Sequence, residues 1–91
     1  MKAYHVIKYD QAGNQINCTT FKKFDKHLIQ SEFDRQALSL SEGEEVEYMK
    51  ETAKEFCPGM LVVVRKNGEL KLEVIKGSKC YYKPYTIKSA A

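Results

Sequence analysis

Five side chains in this sequence could bind a metal or act as a nucleophile with its base: His5, Cys18, His27, Cys57 and Cys80. A structural zinc needs four such ligands on one point, usually with two of them close together in sequence. None of the five stands close to another, and there is no Cys-x-x-Cys. Nucleophilic catalysis needs a Cys or Ser beside a His that a third group orients. No Gly-x-Ser-x-Gly elbow is present to supply that geometry. The five glycines (13, 43, 59, 68, 77) form neither Gly-x-Gly-x-x-Gly nor a phosphate loop, and each falls at a turn or cap. The residues therefore point to a chain with no metal, no cofactor and no catalytic constellation.

Two surface patterns carry more. Lys76, Lys79, Lys83 and Lys88 alternate with Tyr81, Tyr82 and Tyr85. Lysines neutralise phosphates and aromatic faces stack on bases, which makes Lys76, Lys79, Tyr81, Lys83 and Tyr85 a candidate nucleic-acid platform. The same residues also suit an exposed strand edge with no ligand, because tyrosine favours strands and lysine blocks aggregation. Glu47, Glu51 and Glu55 recur every four residues, a straight acidic line if that segment is helical. Lys50 and Lys54 offset part of it, as on a solvated helix face; left uncovered, the line would dock on a basic partner, with Ile29 and Phe33 as apolar anchors.

Charge is segregated along the chain. Residues 27–58 hold eight carboxylates against three cations, a net −5, while 1–26 carry +3 and 59–91 carry +5. An acidic middle between basic ends suggests a protein that works through its surface.

The elements that would position these residues centre on one hairpin. Met60 to Ile75 is two β-rich runs around Asn67-Gly68, a pair that tolerates the positive φ of a type I′ turn. A two-residue loop there pairs Lys66 with Glu69, Val64 with Lys71, Val63 with Leu72 and Val62 with Glu73. Leu61, Val63, Leu70, Leu72 and Val74 then share an apolar face, and the other face is mixed. Tyr4 to Tyr9 and Gln15 to Phe21 read as an earlier hairpin, with either Tyr4/Val6 or Ile7/Tyr9 inward.

Residues 24–38 read as a helix that is apolar on two sides: Phe24, Leu28 and Leu38 on one, Ile29, Phe33 and Ala37 on the other. Ser31 would cap a second helix if the segment broke there. Ser41-Glu42-Gly43-Glu44 has the form of a capping box, with Val46, Met49, Ala53 and Phe56 as the core stripe of a further helix that Cys57-Pro58-Gly59 would end. Cys80 to Ile87 reads as a last strand, at an edge because Pro84 cannot donate to a ladder.

The expected fold is a single α+β domain over 1–91, with 88–91 frayed. It has an N-terminal hairpin, one or two helices on one face and a C-terminal three-stranded meander, in the order ββ-α(α)-βββ. No apolar run is long enough to cross a bilayer, and no apolar leader precedes the first strand. The odd cysteine count argues against a disulfide framework and for a reducing cytoplasm.

The function expected from this is a non-enzymatic interaction protein docking on a protein or nucleoprotein partner, as an inhibitor or regulator. Small inhibitors from phages and mobile elements are built in this style, an analogy that no motif carries. The alternative is direct nucleic-acid binding through the basic tyrosine-bearing sheet. A third reading is a small toxin-like ribonuclease using Arg65, Lys83 and Tyr85.

Overall fold

The structure, a computed structural model, describes residues 2–51 and 56–87, with the backbone alone at 56–60. Its elements are β1 (Ala3–Tyr9), β2 (Gln15–Phe21), α1 (Lys26–Leu38), β3 (Glu45–Glu51), β4 (Phe56–Lys66), β5 (Glu69–Lys76) and β6 (Lys79–Pro84). The strands form one antiparallel sheet in the order β2-β1-β3-β4-β5-β6, an α+β architecture.

The β4–β5 hairpin turns at Asn67-Gly68, with φ of 53° and 78°, the left-handed backbone that this pair accepts. Its register runs from Lys66↔Glu69 to Val62↔Glu73, as the alternation of side chains requires. β6 lies at the sheet edge, where the missing N–H of Pro84 is tolerated.

α1 is one helix, opened by Asp25, whose side chain accepts a hydrogen bond from Leu28 N–H at 3.1 Å. It lays Ile29, Phe33 and Ala37 on Tyr4, Val6, Val46 and Val63. Phe24, Leu28 and Leu38 remain exposed, so the two-sided pattern resolves in favour of the β-branched and aromatic side that meets the sheet. Ile29 and Phe33 are consequently core residues, 7% and 1% exposed. Lys8 sits at the far end of the helix, where Nζ donates to the Ser39 carbonyl and hydroxyl at 3.1 Å each. That end carries the negative pole of the helix dipole.

The expected second helix does not form; β3 stands in its place. The capping-box signal is locally real, since Ser41 N–H donates to Glu44 Oε1 at 2.8 Å. Here, however, it closes a turn: Glu44 N–H also donates to the Ser41 carbonyl, and Gly43 takes φ 84°, which a helix cannot contain. Beyond it, Glu45-Val46-Glu47-Tyr48 alternates with period two, and a central place between β1 and β4 pairs this strand on both sides, with a register shift against β4 between Tyr48 and Lys50. Val46 and Met49 are both buried, but on opposite faces of the sheet. Ala53 falls outside the described residues.

Candidate functional site

The helix covers one face of the sheet, and among the described residues no element covers the other. Strand parity and register assign that open face: His5, Ile7 and Tyr9 from β1, Cys18 and Thr20 from β2, and Glu45, Glu47, Met49 and Glu51 from β3. Val62, Val64 and Lys66 follow from β4, then Glu69, Lys71, Glu73 and Ile75 from β5, and Cys80 and Tyr82 from β6. One row of directly paired residues crosses almost the whole sheet: Ile7, Glu47, Val62, Glu73, Tyr82. Ile7, Met49 and Val64 are buried although no element among the described residues covers them.

Among the described residues this face holds five carboxylates, Glu45, Glu47, Glu51, Glu69 and Glu73, against the two lysines Lys66 and Lys71. Tyr9 donates to Glu47 Oε1 at 2.8 Å, a diagonal bond, since Tyr9 pairs with Glu45. Burial and Glu47 push the Tyr9 phenol up to about 12. Cys80 Sγ donates to Glu73 Oε1 at 2.8 Å, which holds its thiol above the usual range. Glu45 is also raised, first by burial and then by Glu73 and Glu47. Lys66 is occupied elsewhere, with Nζ 3.8 Å from the centre of the Tyr82 ring.

Glu47 and Glu51, expected on a helix, thus share one face of a strand, four residues apart with Met49 between them. Glu55 lies outside the described residues. Glu45, Glu73, Tyr9 and Cys80 were missed as members of this surface. The pairing of Val62 with Glu73 already put Glu73 on the polar side of the hairpin; reading β3 as a helix hid its neighbours.

The basic platform is divided. Lys76, Tyr81 and Lys83 line a groove of about 390 Å³ with Val74 and Tyr82. Lys79 opens β6 at its turn. Tyr85 is withdrawn from it, packed edge-on against Phe33 with its hydroxyl donating to the buried Asp34 and accepting from Gln30. Burial first, and then Asp34, hold its phenol above the ordinary range, against a smaller lowering by Gln30. Arg65 and Tyr85 line a second groove, of about 480 Å³, without Lys83. Arg65 Nε donates to the Leu40 carbonyl at 2.6 Å and Nη1 to that of Gly68 at 2.9 Å, so the guanidinium braces a loop. Arg65 and Tyr85 are thus each engaged in bracing the fold, while Lys83 lines the other groove.

His5 does meet a hydroxyl: Nδ1 is 2.9 Å from Thr20 Oγ1, and Nε2 is 3.8 Å from Glu51. The order hydroxyl, imidazole, carboxylate has the form of a nucleophile and its base, but it lies on an open cross-strand pair. Cys18 and His27 are exposed, and the Cys57 side chain falls outside the described residues. Among the described residues, no group of three His, Cys, Asp or Glu side chains could hold a metal ion.

No protein-family model matches this chain, and neither a curated protein nor a solved structure does. Among the described residues no helix is long and apolar enough to cross a membrane.

Proposed function

We propose that the chain is a non-enzymatic interaction protein whose open sheet face docks on a lysine- or arginine-rich surface of a protein partner, regulating it by occupying that surface. The observation that carries this reading is the composition of the face: five carboxylates against two lysines on a chain whose net charge is +3. Interspersed Val62, Ile75 and Tyr82 add apolar and aromatic contact of the kind that anchors interfaces. A hydrogen-bonded sheet holds these side chains in place before binding, which lowers the entropic cost. An approaching cation would relieve the mutual repulsion around Glu45, Glu47 and Glu73, so charge complementarity would speed encounter as well as hold the complex.

The test is capture from nuclease-treated lysate by wild type, by Glu47→Lys with Glu73→Lys, and by Lys79→Glu with Lys83→Glu, with partners identified by mass spectrometry. A basic protein held by wild type and by the Lys79/Lys83 variant, released by salt and lost from the Glu47/Glu73 variant, supports the reading. Loss on nuclease treatment or on reversal of Lys79 and Lys83 would replace it with nucleic-acid binding. Unchanged capture by the Glu47/Glu73 variant would remove the open face from the interaction.

A further inference from the structure

The sheet has two edges, and they differ in chemistry. β6 carries Lys79, Lys83 and Pro84, the charges and the missing donor that keep an edge from pairing. β2, at the other edge, runs Gln15-Ile16-Asn17-Cys18-Thr19-Thr20-Phe21, seven residues without a charge or a proline. A bulge opposite Lys8 and Tyr9 touches only its first residues, and Asn17–Phe21 continue in regular register. Most of β2 is exposed, Ile16 to 50%, and nothing among the described residues lies beyond it in the sheet.

We propose that β2 pairs antiparallel with β2 of a second copy, around a two-fold axis at Cys18, to make one continuous twelve-stranded sheet. The strand is compatible with itself about its midpoint. Cys18 meets Cys18, Asn17 meets Thr19, Ile16 meets Thr20 and Gln15 meets Phe21, with no like charges opposed. β6 paired in the same way would set Lys79 against Lys83 twice and place Pro84 in the new ladder, which is why the second copy is assigned to β2.

The flanks are complementary as well. The axis brings the Asp10–Asn14 turn of one copy beside Lys22 and Lys23 of the other. The Asp10 carboxylate, held ionised by the Asn14, Ala12 and Gly13 backbone, then faces cations.

Space allows the arrangement. A two-fold normal to the sheet puts both helices on one side; α1 packs mainly over β1 and β3 and reaches β2 through Glu32, which accepts from the Thr19 hydroxyl at 2.6 Å. At a strand spacing of about 4.8 Å the two helix axes lie roughly 19 Å apart, wider than a helix diameter of about 10–12 Å. The open faces of the two copies become one surface, so the dimer would double the acidic face without covering it.

Sedimentation equilibrium of the full chain under reducing conditions, over a concentration series, tests the pairing. Wild type is expected at twice the chain mass. Cys18→Lys, which opposes two ammonium groups at the axis on an exposed side chain, is expected to be monomeric with an unchanged circular dichroism spectrum. Oxidation of wild type should join Cys18 to Cys18, because paired Cα atoms at about 4.5–5.5 Å suit a disulfide. A monomeric wild type, a Cys18→Lys variant as dimeric as wild type, or a disulfide joining Cys80 to Cys80 in place of Cys18 would each overturn the proposal.

Discussion

Glu42 and Gly68 are joined across 26 residues of sequence: the Gly68 N–H donates to Glu42 Oε1 at 2.9 Å. The other oxygen accepts from Asn67 N–H at 2.7 Å, so one carboxylate holds both central amides of the β4–β5 turn. Arg65 adds to the same junction through the Leu40 and Gly68 carbonyls. The loop before β3 and the turn after β4 are thereby clamped together, which fixes the central strands that carry the open face.

The clamp should titrate. The two amides lower the Glu42 pKa, so its contribution to stability is present above the unfolded carboxylate pKa of about 4.3 and is lost as pH falls through the lower folded value. Glu42→Gln is expected to have a lower urea midpoint than wild type at neutral pH, and the gap should close in acid. A constant gap across that range would show that the carboxylate charge plays no part.

Gly68 has open space around a would-be Cβ, so a side chain there meets only the strain of its own backbone. Gly68→Val is expected to cost about 1–2 kcal/mol from the left-handed conformation, and Gly68→Asn appreciably less. Equal midpoints for all three proteins in a urea melt would argue against a type I′ turn.

Legibility followed the range of the interactions. Asn67-Gly68 and the alternation around it are short-range signals, and the hairpin register could be read from them down to Val62↔Glu73. Pro84 likewise implied an edge. Glu45 to Glu51 was misread because Val46 and Met49 fit a helical stripe; they are buried on two faces, which only the neighbours β1 and β4 decide. The choice between Leu28 and Ile29 as the inner side of α1 also needed the sheet. The acidic surface was thus visible as composition at Glu47 and Glu51, while its true members Glu45 and Glu73 come together only through strand pairing.

The helix start gives a sharp comparison. Asp25 accepts from Leu28 N–H, so Asp25→Ala should cost about 0.5–2 kcal/mol. Ser31 is exposed inside α1 and Ser41 precedes a turn and a strand, so Ser31→Ala and Ser41→Ala should change thermal stability little. A large loss at Ser41 with none at Asp25 would restore a helix after residue 41.

The six tyrosines should not ionise together. Tyr85 is held protonated by burial and by Asp34, Tyr9 by burial and by Glu47, and Tyr48 by burial and then by Tyr4. A folded phenol pKa above the unfolded value of about 10 means that its stabilisation is complete below that pH and fades as pH rises through the folded value. The melting midpoint of wild type should therefore fall once pH exceeds about 10, as the unfolded chain gives up protons that the folded one keeps. Tyr85→Phe removes a donor from the buried Asp34, so it should cost about 1–3 kcal/mol at neutral pH and make the alkaline fall shallower. Tyr9→Phe, on the open face, should also flatten the fall while leaving the packing of α1 intact. Ultraviolet absorbance would follow the phenolates directly, with one late-ionising group missing in each variant. If Tyr85→Phe destabilised the fold but left the alkaline slope unchanged, its hydroxyl would act through packing alone, and the bond to Asp34 would not govern its protonation.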